Sequence, residues 1–232
     1  MKIAVLSDIH GNYDALAEVL SAARRQNVER LFILGDTVGY YYQPHNVFAA
    51  LSEWRCDFIA GNHEQALIAS LSSESSRQQY LAKYGSGVEA CLEQLTTKQL
   101  DFIRAMPTST SIELDGQRFD LHHGSPHDPD EYIYPDCDQE KLKELIPSQD
   151  VAVLLGHTHY HFFYQHNGGT VFNPGSVGQS RETGGLASWG IINTENNSFS
   201  HKSTPYDTTQ LIKDALDRDP NLEYLHKILK RH

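Results

Sequence analysis

The sequence predicts an α/β fold with chemically active side chains gathered at one edge of the sheet, and three observations predict it. Short apolar runs such as Leu31-Phe32-Ile33-Leu34 and Val151-Ala152-Val153-Leu154-Leu155 have the pattern of strands covered on both faces. The first run, Lys2 to Leu6, is followed by a polar loop and an amphipathic helix, which opens an α/β unit. Successive runs end in a small residue or turn and then in Asp, Asn or His, and open α/β sheets place ligands beyond the carboxyl ends of their strands.

In chain order, Ser7-Asp8-Ile9-His10-Gly11-Asn12 is the turn after the first strand. Asn12 caps a helix whose apolar face runs through Leu16, Val19, Leu20 and Ala23. The strand Leu31 to Leu34 ends in Gly35-Asp36, and a helix over 47–54 follows Pro44. Phe58-Ile59-Ala60 is a third strand, ending in Gly61-Asn62-His63-Glu64. Residues 65–106 have helical spacing with breaks near Ser72-Ser73 and Gly85-Ser86-Gly87, which reads as a helical flank or lid. The runs 110–114 and 117–121 pair about Asp115-Gly116, a dipeptide suited to a type I′ turn, and lead into His122-His123-Gly124. A polar and aromatic loop from Ser125 to Asp138 and a short helix from Gln139 to Ile146 precede the strand that ends in Gly156-His157-Thr158-His159. Residues 161–165 and 170–172 form a second hairpin around Asn167-Gly168-Gly169. Asn173-Pro174-Gly175-Ser176-Val177-Gly178 is a tight loop whose backbone N–H groups are expected to be free to face an anion. Runs at 186–192 and 199–203 close the sheet, and a helical tail occupies 207–232, interrupted at Pro220.

At 232 residues, 39% hydrophobic and 21% charged, the chain is expected to be one globular domain, 1–232. Its formal charge of -11 disfavours an extended nucleic-acid or anionic-membrane surface, so phosphate chemistry would need positive charge recruited locally, and metal ions are the obvious source. Asp8 comes too early for a signal peptide's apolar region, and no apolar run approaches the roughly 20 residues of a membrane helix. Cys56, Cys91 and Cys137 match neither a metal pattern nor an even disulfide framework and read as reduced, structural thiols of a cytoplasmic protein. The sequence leaves the oligomeric state open.

The residues at or just beyond strand ends are Asp8, His10, Asp36, Asn62, His63, His123, His157 and His159. Asp and His suit Mn, Fe or Zn, with Co and Ni also acceptable, and the absence of cysteine from the set argues against a structural zinc cage. A carboxylate shared between two divalent ions roughly 3.5 Å apart would clamp a phosphoryl group and acidify a bridging water. Asp36, between the other candidates in sequence, is the natural bridge.

The blocks Asp8-Ile9-His10, Gly35-Asp36, Gly61-Asn62-His63-Glu64, His123-Gly124 and Gly156-His157-Thr158-His159 resemble, in order and without a gap, the calcineurin-like metallophosphoesterase superfamily. The strings at 35–40, 123–128 and 173–178 resemble its small bacterial and archaeal single-domain members. The resemblance implies a four-layer α-β-β-α sandwich of two mixed sheets flanked by helices. It also implies one metal on Asp8, His10 and His159, a second on Asn62, His123 and His157, and Asp36 bridging. His63 would orient the phosphate or protonate the leaving group, while metal-bound hydroxide attacks phosphorus in line. Thr37-Val38-Gly39-Tyr40 stands where Ser/Thr protein phosphatases and symmetrical diadenosine tetraphosphate hydrolases carry an Asp-Arg pair, so likeness to those groups is at superfamily level only.

The expected substrate is a small phosphomonoester or phosphodiester, nucleotides included, bound by Asn62, His63, Arg181 and Tyr40. Tyr40, Tyr41, Tyr42, Tyr132 and Tyr134 either stack a nucleobase at the rim or pack the helical flank on the sheet. Arg181 either grips a phosphate or pairs with Glu182. His122 should point away from His123, because side chains alternate along a strand, and Glu64 is given no catalytic role. Two other readings stand beside this one: a dinucleoside polyphosphate hydrolase, and a metal-binding scaffold without turnover.

Overall fold

In the computed structural model, which describes residues 1–231, two five-stranded mixed sheets form around the apolar runs. The strands are β1 Lys2–Leu6, β2 Arg30–Leu34, β3 Cys56–Ile59, β4 Ser109–Leu114, β5 Gln117–His122, β6 Val151–Leu154, β7 His161–His166, β8 Gly169–Pro174, β9 Leu186–Asn193 and β10 Ser198–Pro205. The first sheet has the order β10-β9-β1-β2-β3, with β1, β2 and β3 parallel; the second has the order β4-β5-β6-β8-β7, with β5, β6 and β8 parallel.

The unalternating apolar strands follow from burial on both sides. In β1, Ile3 and Val5 face the second sheet while Ala4 and Leu6 face the helical layer, so both parities must be apolar. Between the sheets, Ile3, Val5, Phe32, Leu34 and Ile59 meet Phe119, Leu121, Ala152, Leu154 and Phe172, each larger side chain contributing about 1.5–3 kcal/mol. The outer edge strand β4 alternates between exposed and half-buried positions, as a strand with one wet face should.

The helices are α1 Tyr13–Arg25, α2 Pro44–Leu51, α3 Asn62–Ser72, α4 Glu74–Tyr84, α5 Gly87–Gln94, α6 Thr97–Ala105, α7 Gln139–Glu144, α8 Thr209–Arg218 and α9 Tyr224–Lys227, followed by a 3-10 turn, Ile228–Lys230. Asn12 caps α1 as expected, its side chain accepting from Ala15 N, and Leu16, Val19, Leu20 and Ala23 are buried against the first sheet. Two boundaries differ from the sequence reading. Helix α2 begins at Pro44, which occupies its first turn where a missing N–H costs nothing, and stops at Leu51 rather than at residue 54. The helical flank begins at Asn62 rather than residue 65, because the Glu64 side chain reaches back to Gly61 N and closes the helix start. Both hairpins turn on two residues with positive φ, Asp115-Gly116 and Asn167-Gly168, so Gly169 belongs to β8 and not to the turn.

Among the described residues, no helix is long and apolar enough to cross a membrane, and all three cysteines are free thiols.

Candidate metal centre

The loops after β1, β2, β3, β5 and β6 meet at the carboxyl edges of the two sheets. Asp8, His10, Asp36, His157 and His159 all have φ between 52 and 66°. Side-chain-bearing residues adopt this left-handed conformation at a cost of about 1–2 kcal/mol each, and such strain gathers at functional sites. The surroundings hold them there: Asp8 N donates to Gly35 O, His10 N to Asp36 O, and His157 N to the Asp8 carboxylate. Gly61 lies so close to Asp36 that a Cβ would run into the Asp36 carboxylate and stand 2.8 Å from the His123 ring.

Five loops therefore deliver their acceptors to one place. His10 Nδ1 donates to Val38 O (3.3 Å) and His159 Nδ1 to Gln179 O (2.7 Å), which leaves both Nε2 atoms as lone-pair acceptors, yet these lie 3.0 Å apart. Asp8 Oδ1 is buried beside them, 3.3 Å from His159 Nε2, with no hydrogen-bond partner. On the other side, His123 Nδ1 donates to Leu34 O at 2.7 Å. Its Nε2 faces three acceptors: Asp36 Oδ2 at 3.2 Å, Asn62 Oδ1 at 3.2 Å and His157 Nδ1 at 3.1 Å. Acceptors converging on acceptors repel unless a cation sits among them, so both clusters fit a divalent metal. Asp36 Oδ2 touches both, lying 3.9 Å from His10 Nε2 as well. Three overlapping groups can thus be drawn: Asp8, His10 and His159; His10, Asp36 and His63; Asp36, His123 and His157.

The charges agree. Burial opposes ionisation of Asp8 and Asp36, but His159 beside the first and His123 beside the second outweigh it and hold both carboxyls below the ordinary range. Burial also opposes a charge on His123, yet Asp36 and then Asp8 push its ring up to about 10 when no metal is present. Burial keeps His10, His63 and His157 neutral, His63 down to about 4.

His63 is buried in the first turn of α3, its ring 4.7 Å from that of His10. Its Nδ1 accepts from the buried Tyr80 hydroxyl at 2.7 Å, and the Tyr84 ring lies 4.4 Å away; both tyrosines come from α4. Glu64, in the same turn, takes four backbone donors: Asp36 N and Gly61 N on Oε2, both 2.8 Å, with Thr37 N (2.7 Å) and Val38 N (3.1 Å) on Oε1. Burial and the Asp36 charge push its carboxyl up to about 7, while donors on all four lone-pair directions favour the ionised form. The sequence gives Glu64 no catalytic role and does not single out Tyr80. Glu64 holds the Asp36 loop, and Tyr80 fixes the His63 ring.

Other expectations divide. Tyr40 packs on the His10 and His63 rings (4.6 and 4.7 Å), and Tyr132 lies 4.0 Å from the His157 ring. Tyr41 and Tyr42 are not available to a base: both are buried under the tail, donating to Leu225 O and Asp219 respectively. The loop 173–178 is not an anion cradle either. The N–H groups of Val177 and Gly178 donate to Ser7 O and Asp8 O, and those of Gly175 and Gln179 bond to side chains within the loop, so it braces the Asp8 turn. Glu182 pairs with His161, and among the described residues Arg181 has no carboxylate partner. His123 enters the centre, whereas the neighbouring His122 pairs across β4.

Comparison with known proteins follows the same outline. The sequence model of the calcineurin-like phosphoesterase superfamily domain matches residues 1–197. An uncharacterized protein of Methanocaldococcus jannaschii is 27% identical over 234 residues, which cover 93% of this chain and 90% of that one. A metallophosphoesterase from Sphaerobacter thermophilus shares the fold with a TM-score of 0.78 at 26% identity, covering 99% of this chain and 98% of its own. A hypothetical protein from Pyrococcus horikoshii superposes with a TM-score of 0.82 at 22% identity, again over 99% and 98% of the two chains.

Proposed function

Because the chain belongs to the calcineurin-like phosphoesterase superfamily, we propose that it is a metal-dependent phosphoric ester hydrolase that holds two divalent ions across Asp36. Its substrates are small phosphate mono- or diesters, nucleotides among them. The observation that carries this is the shared Asp36 Oδ2, which touches a cluster of acceptors on each side. Asp8, His10 and His159 would hold one ion and Asn62, His123 and His157 the other, with Mn or Fe best suited to this mixed oxygen and imidazole set. Bound there, the ions supply charge for the phosphoryl oxygens and acidify water. The metallophosphoesterase from Sphaerobacter thermophilus, alike over nearly its whole length, supports the same reading.

This chain's own residues do the rest. The carbonyls of Val38, Gln179 and Leu34 fix the tautomers of His10, His159 and His123 so that each presents Nε2 to the centre. The Tyr80 hydroxyl, donating to His63 Nδ1, places the proton of the neutral His63 ring on Nε2, where it donates a hydrogen bond to the phosphate or the departing oxygen. Tyr40, Tyr84 and Tyr132 wall the centre against bulk water.

The test is hydrolysis of p-nitrophenyl phosphate, its bis ester and diadenosine tetraphosphate by metal-stripped protein refilled with Mn²⁺, with Asp36→Asn and His63→Ala alongside. Activity that returns with metal and collapses in both variants supports the proposal. Metal binding without cleavage of any of the three would favour a scaffold.

A further inference from the structure

Beside the metal centre, on the far side of Tyr40, lies a cavity of about 550 Å³, within the range of small-molecule sites. Its outer wall is the C-terminal tail. We propose that this cavity is a second subsite, which binds a leaving group that is itself a nucleotide: a phosphate joined to a flat, largely apolar body. The inference rests on the phosphoesterase reading and narrows the substrate to phosphodiesters or phosphoanhydrides that release a nucleotide.

Position is the first argument. Tyr40 packs against His10 and His63 and meets Tyr224 of α9 edge-on, with centroids 5.6 Å apart. A phosphorus atom at the metal centre is therefore one side chain away from the cavity, the span between a scissile phosphate and its leaving group.

Charge is the second. In a chain of net charge -11, this cavity is lined by Arg181, Lys227 and Arg231 against a single carboxylate, Glu223, which is paired with Lys227. Arg181 and Arg231 have no carboxylate partner among the described residues. Two uncommitted guanidinium forks facing one space suit a phosphate, which takes such groups bidentately. Arg181 lines the cavity beside Tyr40, and its backbone N–H lies 3.5 Å from His159 O, so its charge stands next to the metal centre.

The walls are the third. Tyr224 remains 39% exposed, an aromatic ring left uncovered where a flat ring can pack. The tail that carries it is fixed. Leu225 and Leu229 are buried, Tyr41 donates to Leu225 O at 3.1 Å, and Gly184 N donates to Arg231 O at 2.8 Å. The approach at Gly184 requires glycine, since a Cβ there would stand 2.5 Å from Leu229 O and 2.7 Å from Arg231 N.

The reaction balances without a co-reactant. Water's oxygen bonds to phosphorus, the bond from phosphorus to the nucleotide's terminal oxygen breaks, and the nucleotide leaves from the cavity with its phosphate ionised or protonated, water having supplied the proton.

The experiment has two arms, each run on the wild type, on the double variant Lys227→Ala/Arg231→Ala and on Gly184→Val, which forces the tail away. The first arm is calorimetric binding of adenosine 5′-diphosphate to metal-free protein. The second is the ratio of kcat/KM for diadenosine tetraphosphate to that for bis(p-nitrophenyl) phosphate with Mn²⁺. The proposal expects ADP affinity to weaken and the ratio to fall by about ten-fold or more in both variants, mainly through KM for the nucleotide substrate. Unaltered ADP affinity, or equal losses on the two esters, overturns it. If Mn²⁺ restores no hydrolysis of bis(p-nitrophenyl) phosphate, the phosphoesterase reading fails, and the binding arm still decides whether the cavity recognises a nucleotide.

Discussion

Replacing Glu64 with Gln changes no volume and leaves the candidate ligand set intact, yet it should be among the most damaging substitutions in the protein. The carboxylate takes Asp36 N and Gly61 N on one oxygen and Thr37 N and Val38 N on the other, all within 3.1 Å. In Gln one of those oxygens becomes an NH₂ group, so whichever way the amide turns, two buried N–H groups face a donor. Hydrogen bonds to a charged group contribute about 1.5–3 kcal/mol each, which puts the loss at about 3–6 kcal/mol. That is a large part of the 5–15 kcal/mol typical of a domain. Urea unfolding of metal-free protein, followed by far-UV circular dichroism, measures it as a shift in midpoint at unchanged slope. A loss below about 1 kcal/mol would mean that the four bonds do not hold the Asp36 loop, and the reasoning would be refuted.

Three further predictions concern protons. Tyr80→Phe keeps the ring but removes the donor that directs the His63 proton to Nε2, so kcat should fall about ten-fold or more for alkyl phosphate esters and far less for p-nitrophenyl esters, whose leaving groups need little hydrogen-bond stabilisation; an equal loss on both would assign Tyr80 to packing alone. In metal-free protein His123 is raised to about 10 and His63 lowered to about 4. The raised group stabilises the fold below pH 6.5, and that contribution is lost as pH rises through 10. The lowered group withholds its stabilisation as pH falls from 6.5 towards 4, so the metal-free melting temperature should peak near pH 6.5. Metal uptake at pH 8 should also release about one proton, from His123, read by titration calorimetry in buffers of different ionisation enthalpy; metal uptake with no proton released would contradict the assignment.

The fold was legible in the sequence because both parities of the central strands are apolar, a direct imprint of a sheet buried on two sides. The residues that meet at the candidate centre were legible because each follows a strand end. What escaped depended on contacts with no sequence spacing. Glu64 faces away from His63, as neighbours on a helix start should, but its role comes from reaching across to Asp36, Thr37 and Val38. Tyr80 lies a helix away from His63 and carries no motif. The loop 173–178 misled because glycine and serine signal a tight turn without saying whether its N–H groups point outward or, as here, into the Asp8 turn. Tyr40 turns to the His10 and His63 rings while Tyr41 and Tyr42 bond to the tail, and the sequence does not say where the tail packs.

In the proposed function Asp36 joins two metal ions into one centre. Mn²⁺ titration of metal-stripped protein, with bound ion counted by equilibrium dialysis and coupling read by electron paramagnetic resonance, tests it most directly. Two ions per chain with an exchange-coupled signal are expected, with loss of that coupling in Asp36→Asn. One ion per chain, or two uncoupled ions unaffected by Asp36→Asn, would contradict it.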